Sequence, residues 1–175
     1  MVSKSRKRAC GLIPLKKFVY LISPNKININ FYNELDAVLS YGNVKFFQLR
    51  LKKVKKNKII KIAKEIRKIT KKHKVKLIIN DHPNVTKIVN ADGCHLGQND
   101  GSMLNARKYL KKKIIGISCH NSKSLAKIAI HNKADYLAFG CFSKSKLKPN
   151  AKKADLNILK WARRNIKKPI VAIGG

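Results

Sequence analysis

Lys76-Leu77-Ile78-Ile79-Asn80-Asp81 and Gly93-Cys94-His95-Leu96-Gly97-Gln98-Asn99-Asp100 are two apolar runs that each end in amides and an acid. The runs themselves, Lys76 to Ile79 and Gly93 to Leu96, have the length and near-continuous apolar character of strands buried on both faces. Five more runs read the same way: Phe18 to Ile22, Val44 to Leu49, Ile114 to Ser118, Tyr136 to Phe139 and Ile170 to Ile173. Helical stretches separate them. The clearest spans Lys58 to Lys72, where Ile59, Ile62, Ile66 and Ile69 form one apolar stripe while Lys61, Lys64, Lys68 and Lys71 take the other faces. Ser122 caps a helix through Ala126, Ile128 and Ala129. Another helix carries Leu156, Leu159, Trp161 and Ile166, and Pro169 ends it.

A short repeat supports this order. Ala91-Asp92-Gly93 opens one strand and Ala134-Asp135-Tyr136 opens another, each acid turning or capping the chain where a helix hands over to a strand. Repeated strand-helix units build a parallel sheet, open or closed into a barrel. No G-x-G-x-x-G follows the first strand, which takes weight from a dinucleotide-binding sheet. The expected fold class is therefore α/β, a (β/α)8 TIM barrel that the sequence follows through its seventh strand. Residues 1–16 read as a basic N-terminal arm and 17–175 as a single TIM-barrel domain lacking the final strand and helix.

Composition narrows the function. The 175 residues hold 41 Lys and Arg against eight acids, a net charge of +33. Such a chain attracts polyanions, so RNA binding is a rival reading. The charge recurs along nearly every polar stretch, however, and no basic-aromatic interleaving accompanies it. A Lys-biased composition on solvated faces accounts for it without a specific nucleic-acid partner. Cys10, Cys94, Cys119 and Cys141 form no C-x-x-C pair and no zinc spacing, which fits reduced thiols in the cytoplasm. No apolar run has membrane-spanning length, and the short stretch Cys10 to Leu15 is no signal-peptide core. Homo-oligomerisation is left open.

In TIM barrels the active site lies where the strands end, at the C-terminal face. Past the second strand stand Gln48, Arg50 and Lys52, whose alternation puts them on one side. Past the third come Asn80 and Asp81, and past the fourth Gly97 to Asp100. The fifth leads to Ser118, Cys119, His120 and Asn121, and the sixth to Gly140, Ser145, Lys146 and Lys148. The seventh ends in Gly174-Gly175. A carboxylate among so many lysines has the simple reading of a salt-bridge partner. Two carboxylates on adjacent strand ends also suit Mg2+, which takes one or two of them and completes its shell with water and substrate phosphate. Arg50, Lys52 and Lys148 add positive charge for a diphosphate. Gly174 and Gly175 let backbone N–H groups approach a phosphate closely.

These segments carry a resemblance. Gln48-Leu49-Arg50-Leu51-Lys52, Asn80-Asp81, Ala91 through Asp100, Gly116 through His120, Ala134 through Gly140 and Val171 through Gly175 resemble thiamine phosphate synthase in order and spacing, from about Tyr20 onward. The segment Gly93-Cys94-His95-Leu96-Gly97-Gln98-Asn99-Asp100 is the most specific piece. The resemblance implies condensation of hydroxymethyl-aminopyrimidine diphosphate with hydroxyethyl-thiazole phosphate to give thiamine phosphate and pyrophosphate. The family's mechanism is dissociative and Mg2+-assisted. Gln48, Arg50, Lys52 and Asn80 would then hold the pyrimidine diphosphate, and Asp81 and Asp100 would bind Mg2+. Ser118 and Lys148 would contact the diphosphate, so that Arg50, Lys52, Ser118 and Lys148 carry the catalysis. Ser145 with Gly174 and Gly175 would face the thiazole phosphate.

The chain departs from the family pattern in places. Leu51 stands where the family commonly has Glu, but alternation points it away from Arg50 and Lys52. Lys144-Ser145-Lys146-Leu147-Lys148 replaces Pro-Thr-x-Thr-Lys, and Leu147 donates no hydrogen bond. Family members continue past the Gly-Gly into an eighth strand and helix. A seven-stranded barrel leaves an open edge, so the sequence as given is expected to fold poorly and turn over weakly. A related thiazole tautomerase, which uses a His near the position of His120, is the second reading. A non-catalytic polyanion binder is the third. His95 is expected to hydrogen-bond in the site wall, Cys119 and Cys141 to fill apolar space, and Trp161 to pack against the barrel.

Overall fold

The computed structural model describes residues 17–143 and 153–174. Strands and helices alternate: β1 (Val19–Ile22), α1 (Phe31–Ser40), β2 (Val44–Leu49), α2 (Lys56–Lys72), β3 (Lys76–Asn80), α3 (Pro83–Ile88), β4 (Gly93–Leu96), α4 (Met103–Leu110), β5 (Ile114–His120), α5 (Lys123–His131), β6 (Tyr136–Phe139), α6 (Asn157–Asn165) and β7 (Ile170–Ala172). The strands pair in parallel and in chain order, with β1 and β7 at the two edges. The sheet curls into a nearly closed barrel. Its curvature brings the hydroxyl of Tyr20 on β1 within 2.6 Å of that of Tyr136 on β6, a contact a flat sheet would forbid.

Alternation along the strands sorts side chains into two layers. Phe47, Leu49, Leu77 and Ile79 face outward against Leu35 and Leu39 of α1, Ile59, Ala63 and Ile66 of α2 and Val85 of α3. Cys94, Leu96, Ile115, Ile117, Leu137 and Phe139 do the same under α4 to α6. Each large buried side chain contributes about 1.5–3 kcal/mol of transfer free energy. Trp161 packs into this second cluster as expected, with the Lys123 ammonium 5.8 Å from its ring centroid. The alternate positions, including Tyr20, Phe46, His95 and Tyr136, meet inside the barrel.

The stripe on α2 differs from the expected one. Its buried line is Ile59, Ala63, Ile66 and Thr70, with Ile62 and Ile69 only partly buried beside it. Ser122 caps α5 by accepting from the Leu125 N–H at 3.2 Å, and Ser102 caps α4 through the Asn105 N–H at 3.4 Å. Gly42 follows α1 at φ 79° with its N–H on the Leu39 carbonyl, the left-handed exit that glycine supplies without strain. No helix among the described residues is long and apolar enough to cross a membrane.

The Asp92 and Asp135 repeat does more than turn the chain. Each acid sits just before a strand and accepts from the first residues of the preceding one. The Leu77 N–H reaches Asp92 Oδ2 at 3.0 Å, and the Ile115 N–H reaches Asp135 Oδ2 at 2.8 Å. Each also receives an arginine from an outer helix: Arg67 Nη1 at 2.8 Å and Arg107 Nη2 at 2.5 Å. Arg107 additionally donates to the carbonyls of Lys111, Lys113 and Lys133. Hydrogen bonds to charged groups contribute more than neutral ones. Replacing Arg107 by Ala leaves Asp135 and three carbonyls short of donors, and is expected to lower unfolding stability by about 2–3 kcal/mol. Urea denaturation checks this; a loss within about 0.5 kcal/mol, the ordinary range for a surface change, would contradict it.

Candidate active site

The C-terminal ends of β2 to β5 present inward-facing polar groups in sequence. Gln48 is buried on β2, and its carbonyl receives the Ser23 N–H at 2.9 Å. Arg50 follows; its N–H donates to Ser23 Oγ at 2.9 Å and its Nη1 to Asn25 Oδ1 at 3.3 Å. Leu51 turns the other way into the outer core, as alternation requires. Asn80 ends β3, buried and in register with His95 on β4. Ser118 stands on β5, with its side chain at the inner face beside His95.

Asp81 is the turning point. Its φ is 62°, in the left-handed region that Asp tolerates better than most residues. Its N–H is anchored on the His95 carbonyl at 2.8 Å, across to the next strand. That conformation sets its carboxylate against the Lys52 ammonium and the Asp100 carboxylate. Lys52 donates to Asp81 Oδ2 and lies 3.8 Å from Asp100 Oδ1. Burial and the facing Asp100 carboxylate push the Asp81 carboxyl above its ordinary range, while Lys52 pulls the other way. The simple reading of the two acids as salt-bridge partners of a lysine is met by Lys52, and the two carboxylates also converge on each other.

The other acids lie elsewhere. Asp36 pairs with Lys72 and His73, Glu65 with Lys68, Asp92 with Arg67 and Lys76, and Asp135 with Arg107. Asp155 accepts from the Asn157 N–H at the start of α6. A divalent cation suits the Asp81 and Asp100 pair. The donors are hard oxygens, and the two carboxylates crowd each other. The space between them already attracts a cation, the Lys52 ammonium. Among the described residues no group of three or more His, Cys, Asp or Glu converges, and Mg2+ needs no more than one or two carboxylates.

Gly97 makes the approach of Asp100 possible. Its N–H donates to Asp100 Oδ2 at 2.9 Å, and a Cβ at this position would collide with that oxygen. The obstacle is the tip of one side chain, so Gly97→Ala moves Asp100 rather than the barrel. The expected result is a melting temperature within about 2 °C of the parent together with divalent-ion affinity weakened about tenfold. Calorimetric titration with Mn2+ checks it; unchanged affinity would show that Asp100 does not depend on Gly97.

Behind Ser118 the barrel interior holds hydrogen-bonding side chains. His95 is buried, with Nε2 at 2.9 Å from Ser118 Oγ and Nδ1 at 2.8 Å from the Tyr136 hydroxyl. Burial pushes the imidazole pKa down to about 4, so the ring is neutral at pH 7. His95 thus sits in the site wall, as expected from sequence. Gln98 Nε2 donates to the Ser118 carbonyl at 2.5 Å. Cys94 and Cys119 are fully buried, and burial pushes both thiols up to about 12, as inert fillers require. His120 is exposed at the end of β5 with φ 51°.

Gly174 is exposed beyond β7, near Ser143. The Ile173 backbone approaches Gly140 so closely that a Cβ there would lie 2.6 Å from the Ile173 carbonyl oxygen. Residues 1–16, Ser145, Lys148 and Gly175 lie outside the described residues, as do Lys144, Lys146 and Leu147. Sequence reasoning missed Tyr20 and Tyr136 as contributors to the site, and it placed Gly97 on the rim without its part in seating Asp100. An exposed-or-core pattern cannot show them; the hydroxyls on otherwise apolar strands were the available signal.

Known proteins resemble this chain in sequence and in fold. The profile of a family described as thiamine monophosphate synthase matches residues 19–175. The chain is 59% identical over 162 residues to a thiamine-phosphate synthase of Pelagibacter ubique, covering 91% of this chain and 78% of that protein. It is 40% identical over 158 residues to a thiamine-phosphate synthase of Nitrosomonas eutropha, covering 90% and 74%. A solved thiamine phosphate pyrophosphorylase from Pyrococcus furiosus superposes with a TM-score of 0.79 at 27% identity, over 90% of this chain and 75% of that one.

Proposed function

The chain belongs to the thiamine monophosphate synthase family, and from that premise we propose that it is a transferase joining hydroxymethyl-aminopyrimidine diphosphate to hydroxyethyl-thiazole phosphate, with release of pyrophosphate. The observation that carries the reading is the convergence of Asp81 and Asp100 on Lys52, on the same rim as Gln48, Arg50, Asn80 and Ser118.

Asp81 and Asp100 would hold Mg2+, which when bound offsets charge growing on the departing pyrophosphate. Arg50 and Ser118 bind diphosphate oxygens, the first as a charged fork and the second as a hydroxyl donor. Lys52 neutralises the two carboxylates in the ligand-free chain and turns its ammonium to the diphosphate when another cation takes that place. Gln48 and Asn80 offer amides that orient the pyrimidine. Lys148 adds to the diphosphate site, while Ser145, Gly174 and Gly175 serve the thiazole phosphate. The carbon–oxygen bond to the diphosphate breaks first, and the thiazole nitrogen then attacks the pyrimidine-methyl cation. Such a reaction asks for no protein nucleophile and no strong base. The neutral, enclosed His95 and the high thiol pKa values of Cys94 and Cys119 agree with that demand.

Pyrophosphate release tests the proposal: it should require both substrates and Mg2+ together. Metal-independent turnover of a thiazole phosphate alone, abolished by His120→Ala, would favour the tautomerase reading instead. The exposed lysines along α2, Lys61, Lys64, Lys68 and Lys71 among them, lie on a solvated face. Their attraction for RNA should therefore be general and steeply weakened by salt. The function fits a cytoplasmic setting with small phosphorylated substrates.

A further inference from the structure

A line of four hydrogen-bonding side chains runs through the barrel interior to the proposed diphosphate site. It begins at the Tyr20 hydroxyl, 2.6 Å from that of Tyr136. It continues to His95 Nδ1 at 2.8 Å and ends where His95 Nε2 meets Ser118 Oγ at 2.9 Å. The members come from β1, β6, β4 and β5, so the line exists only because the sheet is curled. Gly116 makes room for it. This residue lies in register between His95 and Tyr136, and a Cβ on it would occupy the Tyr136 ring.

A neutral imidazole donates through one nitrogen and accepts through the other, which leaves two arrangements. In one, Nδ1–H donates to Tyr136 and Ser118 donates its only proton to Nε2. In the other, Tyr136 donates to Nδ1 and Nε2–H donates to Ser118, whose proton is then free to point outward. A phosphate oxygen only accepts, so a serine facing it must be the donor. Resting on the assignment of Ser118 to the diphosphate, we propose that His95 is a positioning residue, held as the Nε2–H tautomer by Tyr136 and Tyr20, which turns the Ser118 hydroxyl toward the diphosphate. The donors then all run one way, from Tyr20 to Tyr136 to His95 to Ser118 to phosphate. Bonds aligned in such a chain polarise one another and strengthen. His95 touches no substrate and exchanges no proton with it.

The role is separable from a merely structural one. His95→Leu should raise both the KM for the pyrimidine diphosphate and the pyrophosphate inhibition constant about tenfold, the size of one charge-assisted hydrogen bond. His95→Gln, which keeps a donor on the Ser118 side, should restore most of the loss. In a Ser118→Ala background His95→Leu should change neither constant more than about twofold, because the two act as a unit. Tyr136→Phe keeps the ring and removes only the hydroxyl, so it carries the same comparison if His95→Leu fails to fold. Nitrogen-15 NMR of the pyrophosphate complex should show His95 protonated on Nε2, with no titration between pH 6 and 8. The opposite tautomer, or an equal effect of His95→Leu with and without Ser118, would overturn the proposal. If Ser118→Ala itself leaves pyrophosphate inhibition unchanged, the assignment of Ser118 to the diphosphate fails first, and the proposal goes with it.

Discussion

Asp100→Asn is expected to lower Mg2+-dependent turnover roughly 10²- to 10³-fold, comparable with removing a principal electrostatic contact to the leaving group. The substitution keeps the shape of the side chain. An amide oxygen still accepts from the Gly97 N–H, which now reaches Asp100 Oδ2 at 2.9 Å, so the turn after β4 survives. What disappears is the second negative charge opposite Asp81. Asp81→Asn should cost turnover similarly but differ in stability. Because burial and Asp100 raise the Asp81 carboxyl above its ordinary range, its ionised form destabilises the ligand-free fold at pH 7. Folding then gains as pH falls toward that raised pKa and the carboxyl takes up a proton. A neutral amide removes the penalty at all pH values, so Asp81→Asn should melt no lower than the parent protein. Lost activity with kept stability is the mark of a site that stores unfavourable charge for a cation. A variant that loses both in proportion would point to a structural role.

Gly116→Ala is expected to be the most destabilising single methyl addition among the described positions, at about 3 kcal/mol or more, the upper range for overpacking a core. Its added carbon falls within the ring of Tyr136, which is itself buried and tied to Tyr20 and His95. The ring cannot retreat without breaking both hydrogen bonds. Gly42→Ala provides the contrast. Nothing lies within 4 Å of the added carbon, and only the left-handed φ of 79° opposes it, a cost of about 1–2 kcal/mol. Chemical denaturation of both variants should show Gly116→Ala as the worse. The reverse order would mean that the barrel interior yields more easily than its hydrogen bonds imply.

Much of the barrel is written locally in the chain. Seven apolar runs become seven strands of three to seven residues, because buried parallel strands need apolar residues on both faces and little else in so short a stretch does. The ends shift where polar residues continue the ladder: β3 takes in Asn80, and β5 runs on to His120. Helices α1, α3 and α4 go unassigned from sequence; α3 has only six residues and Pro83 as its start signal. The rim residues Gln48, Arg50, Asn80 and Ser118 follow from strand alternation alone, and Leu51 confirms it by facing the outer core. Other features depend on closure of the sheet. Tyr20 and Tyr136 are 116 positions apart and meet only across the barrel. The left-handed turn at Asp81 is anchored on the His95 carbonyl of β4, and the clearance at Gly97 is set by Asp100 in the loop that follows that strand. Asp92 and Asp135 show as a sequence repeat, but their arginine partners on α2 and α4 emerge only when helices are laid on the sheet.

Asp81 and Asp100 are proposed to form a divalent-cation site shared with a diphosphate. Electron spin resonance of Mn2+ titrated into the protein with and without pyrophosphate tests it most directly. The account predicts a bound Mn2+ signal that tightens when pyrophosphate is present, is broadened by oxygen-17-labelled pyrophosphate, and is lost in Asp100→Asn. Binding of Mn2+ and pyrophosphate that is the same in Asp100→Asn as in the parent would contradict it.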